Sequence, residues 1–258
     1  MPEERSSVHA YVEAIDLSGI PRQPIPQDAA AEATEVFADA KTQAQVVGST
    51  LFSFAQGVDA DMRAAISDSA LLAQLVANKH QNKDDAPIPW YDAYQEVLQN
   101  IGWVLQDSGW TDYSTRGAAA EVHQKLIEIL TAALGAGTAA LAIITSALNV
   151  LQKMTAGSSW LTIFSRETQH ANIARFQVGL VQPGEADDVF VSLLACLIEA
   201  QRTITQVLVF KYRAEQASFR ASNAKVSINR ASLADLQPTI RVKVRAYQRD
   251  YVSSIKDL

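Results

Sequence analysis

Ala174-Arg-Phe-Gln-Val-Gly-Leu-Val181 and Val189-Phe-Val-Ser-Leu-Leu-Ala-Cys-Leu-Ile198 decide the fold of this chain. In the first, Phe176, Val178 and Leu180 alternate with Gln177 and Gly179, the period of two that marks a strand. The second is rich in aliphatic residues, and the turn-like segment from Gln182 to Asp188 separates the two. Further strands are predicted at Trp160–Phe164, Ile204–Tyr212 and Ala217–Ile228, which together would make an antiparallel meander. A last helix capped by Ser232 or Asp235 follows, with Val244, Tyr247, Tyr251 and Ile255 as its apolar stripe and Pro238 in its first turn.

Before this region the spacing is helical. Trp90, Tyr94, Val97, Leu98, Ile101 and Leu105 form one amphipathic helix, and Met62, Ile66, Ala70, Leu71 and Leu75 form another between Asp59 and Asn78. Helices are also predicted from Asp28 to Gly57 and from Ser114 or Thr115 to Thr155. Pro21, Pro24 and Pro26 are too close together for helix or central strand, so residues 1–27 read as an extended arm. The expectation is an α+β fold in which a helical N-terminal half packs on a C-terminal antiparallel β-meander. Residues 28–258 would form one domain, helical over 28–156, mainly β over 159–230 and helical again over 232–256.

With 258 residues and 48% hydrophobic side chains, the chain has ample material for a core. Its formal net charge of −6 argues against a sequence-independent grip on nucleic acid. Charge is uneven: residues 1–158 hold 9 Lys/Arg against 19 Asp/Glu, and residues 159–258 hold 13 against 9. Arg241, Lys243, Arg245 and Arg249 concentrate near the carboxyl end, where they read either as a solvated helix face or as a patch for an anionic membrane surface. No secretory signal, myristoylation or prenylation motif is read, so synthesis in the cytoplasm and membrane association or export by a non-classical route are the expectations.

Motifs for familiar chemistry are missing from the sequence. Gly135-Ala-Gly-Thr-Ala-Ala140 has the spacing of a dinucleotide fingerprint, but no strand precedes it. The four histidines, His9, His80, His123 and His170, are scattered without ligand spacing, so no metal and no other cofactor is expected. There is no G-x-S-x-G elbow and no P-loop. The chain is read as non-enzymatic, with one enzymatic alternative at its sole cysteine.

Cys196 therefore has three readings: a buried thiol acting as a small hydrophobe, an acyl attachment point, or the nucleophile of an acyl hydrolase or transferase. No Lys, Arg or His lies near it in sequence to lower its pKa. An acyl chain of about fifteen methylenes, at roughly 0.8 kcal/mol each, would be driven into a bilayer or into the protein interior. The small residues Gly135, Gly137 and Ala140 are candidates to line an acyl tunnel. They belong to Ile129–Gln152, which carries no charge. That stretch reads either as a helix buried by its neighbours or as the inserting segment of a helical pore-forming toxin.

Taken in order, Trp90-Tyr-Asp-Ala-Tyr94, Val97 to Leu105, the charge-free stretch, Ala174–Val178, the cysteine strand and Thr205–Lys211 resemble the Erwinia virulence factor family, bacterial proteins linked to colonisation of the insect gut. The resemblance is one of general pattern across most of the chain. It implies an α/β fold holding palmitate on one cysteine, here Cys196, and hence a virulence or host-interaction factor whose partners are a fatty acyl chain and a membrane surface. Oligomeric state does not follow from it.

Overall fold

The structure, a computed structural model, describes residues 2–22, 42–80, 87–113, 120–153, 158–185, 187–213 and 215–255. Its α+β class and C-terminal helix are those expected. Among the described residues are α1 (Pro2–Ala14), β1 (Gln43–Val47), β2 (Thr50–Phe54), α2 (Ala60–His80), α3 (Pro87–Asn100) and β3 (Trp103–Asp112). There follow β4 (Ala120–Glu121), α4 (Val122–Leu134), α5 (Ala139–Lys153), α6 (Ser159–Thr168), β5 (Gln169–His170) and β6 (Ile173–Pro183). The remainder are β7 (Asp188–Ala200), β8 (Lys211–Tyr212), β9 (Ala217–Asn229), α7 (Arg230–Tyr251) and β10 (Val252–Ile255).

One mixed sheet runs β10-β1-β2-β6-β7-β9-β3, with β5 beside β6. All its pairs are antiparallel except β2–β6. Alternation along β7 assigns the two faces. Val189, Val191, Leu193 and Ala195 join the core under α1, α2, α3 and α7. Leu194, Cys196 and Ile198 join the core under α4, α5 and α6. The sheet is thus the middle of three layers, a standard way to bury two apolar faces.

Several sequence expectations are corrected. In the segment read as a helix to Gly57, residues 43–54 are the hairpin β1–β2. Gln43 and Gln45 are buried, so polar residues occupy a core-facing row and disguise the strand period. The helix at Trp90 stops at Asn100, and Trp103 and Leu105 belong to β3 instead. Trp160–Phe164 is helical, because Trp160, Leu161, Ile163 and Phe164 bury one side of α6 and Ser158 Oγ caps it by accepting from Leu161 N at 3.4 Å. Ile204–Phe210 is an irregular connection, and only Lys211–Tyr212 pairs as a strand. The arm is partly helix: α1 lies on α7, where Tyr247 donates to Leu17 O at 2.8 Å. Residues 23–41 lie outside those described. The last helix starts at Arg230, where Asn229 accepts from Ser232 N at 3.0 Å, so Pro238 sits inside it and not in its first turn.

A polar network fastens β1–β2 to α2. Gln74 Oε1 accepts from Ser49 N at 2.9 Å, its Nε2 donates to Val47 O at 2.8 Å, and Ser49 Oγ donates to Gln177 Oε1 at 3.0 Å. The turn residue Gly48 has φ +53°, and a Cβ there would lie 2.2 Å from Gln74 Oε1. Gly48→Ala is expected to cost at least about 2 kcal/mol, from backbone strain and a displaced clamp, as read from a urea midpoint.

The α2–α7 interface holds a second polar group. The buried Asp68 carboxylate accepts from Gln237 and Gln248 and lies 3.4 Å from Arg241 Nε. Burial raises its pKa, against the lowering effect of these partners. A carboxyl raised in the folded state binds its proton more tightly there than in the unfolded chain. Its contribution to stability therefore grows as pH falls from the raised value toward about 3.9. Thermal melts should show the wild type gaining on Asp68→Asn over that descent.

Candidate functional site

Cys196 lies midway along the central strand β7, in a cross-strand row with Phe176 of β6 and Ala221 of β9. All three side chains are buried, and Cys196 is 0% exposed. From the opposite layer, the Tyr91 hydroxyl lies 2.9 Å from Phe176 O and 2.7 Å from Cys196 O, so one proton donor is shared between the two carbonyls. Tyr91 thereby fixes the backbone that carries the cysteine. Around it the aromatic ridge of α3 is core: Trp90 stacks on Tyr94 at 5.4 Å, and the buried Arg175 guanidinium lies 3.4 Å from the centre of the Trp90 ring. That close cation–π contact offsets part of the cost of burying the charge.

Burial pushes the Cys196 thiol well above its ordinary pKa, and no neighbouring charge is a cause. The thiol is free, and no hydrogen bond to its sulfur occurs among the described residues. A nucleophilic cysteine needs a base in hydrogen-bond reach and thiolate character. Among the described residues no hydrogen bond gives this sulfur a base, and burial keeps the thiol protonated. Among the described residues no group of three His, Cys, Asp or Glu could hold a metal ion.

The roof over this face of the sheet is a helical hairpin. The single helix expected from Ser114 or Thr115 to Thr155 is, within the described residues 120–153, corrected to α4 and α5, joined at Gly135–Thr138, and both of its expected ends lie outside the described residues. Gly135 has φ +88° and donates its N–H to Thr131 O, and Thr138 Oγ1 accepts from Leu141 N at 3.2 Å to start α5. Gly135 and Gly137 are exposed in this turn, and Ala140 is half-buried in the first turn of α5. Sequence reasoning placed all three on one helix wall, because Gly-rich turns and small-residue helix faces share a composition.

Both helices are one-sided. Val122, Leu126, Ile129 and Leu130 of α4 and Ile144, Ala147, Leu148 and Leu151 of α5 are buried. Ala132, Ala133, Ala136, Ala139 and Ala142 face out. The outer face over Ile129–Gln152 is therefore small and uncharged, where a surface helix ordinarily carries charge. With 13 and 15 residues, the helices are about 20 and 22 Å long, short of a bilayer core of about 30 Å. Among the described residues no helix is long and apolar enough to cross a membrane. Beside α4 a cleft of about 50 Å³ is lined by Leu130, Leu134, Leu194 and Asn223. That volume is well below the roughly 300 Å³ of a small-molecule pocket.

The basic residues lie on the other side of the sheet. Arg241, Arg245 and Arg249 are exposed on α7 at four-residue spacing. Arg241 approaches Asp68, and Lys243 Nζ donates to Glu13 O at 2.6 Å and Ile15 O at 2.8 Å. Lys243 thus holds the end of α1. Sequence reading could not separate these roles, since a helix face and a capping lysine look alike without the partner element.

These features define a three-layer α+β protein whose sole thiol is buried in the layer covered by α4, α5 and α6. No family model matches the chain, and no curated protein matches it. Among solved structures it is similar to a delta-endotoxin, with 11% identity, a TM-score of 0.44 and coverage of 82% of this chain and 91% of that one. It is similar to the activated Cyt2Ba monomer from Bacillus thuringiensis subsp. israelensis, with 14% identity, a TM-score of 0.31 and coverage of 52% and 78%. The Evf virulence factor is a further similar structure, with 12% identity, a TM-score of 0.34 and coverage of 95% and 90%.

Proposed function

We propose that this protein is a non-enzymatic virulence or host-interaction factor that carries a palmitoyl-type chain in thioester linkage on Cys196. The observation that supports the reading is the placement of the sole thiol in the layer covered by α4, α5 and α6, where residues 129–152 carry no charge. In forming the thioester, the Cys196 sulfur displaces the thiol of an acyl-thioester donor, and the cysteine proton leaves with that thiol. A fully buried sulfur cannot meet a donor, so acylation occurs before the hairpin closes or while it is lifted. Once attached, the chain replaces sheet contacts of the hairpin, and displacement of the hairpin presents lipid and apolar helix faces together to a membrane.

One acyl chain gives only marginal membrane binding, so a second contribution is required. Cys196 and the basic stripe of α7 belong to opposite layers. The second contribution is therefore assigned to the hairpin and not to Arg245 and Arg249, which makes binding insensitive to anionic lipid. Flotation with neutral phosphatidylcholine vesicles tests this. Acylated wild type is expected to float and Cys196→Ser to remain at the bottom; equal flotation, or none by either, overturns the anchor.

The charge-free stretch within the hairpin also supports a second reading, a pore-forming toxin using residues 129–152. In that case α4 and α5 would have to merge or associate to span the bilayer, and dye release from vesicles would be independent of Cys196.

A further inference from the structure

The hairpin is fastened at its open end, away from the Gly135 turn. Val122 N donates to Phe210 O and His123 N to Leu208 O, each at 3.0 Å, so the connection before β8 satisfies the start of α4. Gln152 Nε2 at the end of α5 donates to Glu121 Oε1 at 2.6 Å. Between these ties sits His123, 6% exposed, with the Asn149 side chain of α5 against its ring and no partner for Nε2 among the described residues. It is a buried imidazole at the junction of α4, α5 and the β4–β8 pair.

We propose that His123 is an acid-sensitive clasp, whose protonation releases the α4–α5 hairpin from the sheet. The proposal rests on the reading above, in which that movement uncovers Cys196, and supplies its trigger. A charge on this ring would be buried with one nitrogen lacking an acceptor, a costly arrangement that lifting the hairpin into water relieves. The facing charge is Glu121, already engaged by Gln152. The other titratable groups on the elements meeting here are Lys125 and Glu128, paired with each other on α4, Lys153 at the end of α5, and Lys211 and Tyr212 on β8. Burial raises the Tyr212 pKa, so that group stays neutral.

Burial also depresses the His123 pKa, against the favourable effects of Asn149 and Glu121. A histidine depressed in the closed state contributes stability that is fully present above the open-state value of about 6.5 and is lost as pH falls below it. The window is therefore mildly acidic.

Hydrogen–deuterium exchange of intact, unacylated protein tests the clasp without any membrane. Exchange of α4 and α5 amides is measured relative to α7 amides of the same molecule, which cancels the intrinsic pH dependence. From pH 7.5 to 5.5 the ratio should rise several-fold in wild type and stay flat in His123→Gln. Asn149→Asp, which gives the imidazolium a carboxylate partner, should suppress the rise while keeping His123. A flat wild-type ratio, or an equal rise in His123→Gln, overturns the clasp. Neither result depends on acylation, which flotation tests separately.

Discussion

Arg63→Ala is expected to lower the unfolding free energy by about 3–5 kcal/mol, a large share of the roughly 5–15 kcal/mol available to a domain. Arg63 is 0% exposed near the start of α2. Its Nε donates to Val58 O at 2.7 Å, Nη1 to Gln43 Oε1 at 2.7 Å and Nη2 to Ala55 O at 3.4 Å, and the guanidinium lies 5.6 Å from the Phe54 ring centre. Alanine would remove the donations to Val58 O, Gln43 Oε1 and Ala55 O and open a cavity besides. Arg63→Lys should recover only part of the loss, because one ammonium cannot reproduce the planar fork. Guanidinium unfolding followed by tryptophan fluorescence measures both, and an unchanged midpoint for Arg63→Ala would show that this network is not a source of stability.

The second large effect concerns the outer face of the hairpin. Ala132→Asp combined with Ala142→Asp is expected to reduce binding of the acylated protein to neutral vesicles at least tenfold, equivalent to about 1.4 kcal/mol or more. Both alanines are exposed, so the folded state loses only helix propensity, about 0.5–0.7 kcal/mol per site. Arg245→Gln with Arg249→Gln should leave the same binding within about twofold, since that stripe faces away from the hairpin layer. If the stripe variant loses binding while the hairpin variant does not, the membrane-facing side has been assigned to the wrong layer.

The elements that could be read from sequence are those whose apolar period matches their burial. The strands at Phe176 and Cys196 and the helix at Trp90 bury the residues that their spacing marks. The hairpin β1–β2 was hidden because Gln43, Gln45, Ser49 and Thr50 face a polar network reached from α2 and Gln177, which no local pattern foretells. In α6, five residues fit a period of two as well as one helical turn, and the Ser158 cap decides between them. At the site, Cys196 was visible as the sole cysteine and Ile129–Gln152 as a run without charge. Their meeting in one core layer was not, since it depends on the face to which β7 turns Cys196 and on the turn at Gly135 that folds the run back on itself. His123 carried no signal either: its meaning comes from its burial and from Asn149, which the hairpin brings to it.

Intact-protein mass spectrometry before and after hydroxylamine, on protein from its native host, tests the central claim most directly. The account predicts a mass excess of one long-chain acyl group that hydroxylamine removes, that maps to Cys196 and that is missing from Cys196→Ser. An unmodified mass, or an excess that survives hydroxylamine or maps elsewhere, would contradict it and leave Cys196 as a core thiol beneath the hairpin.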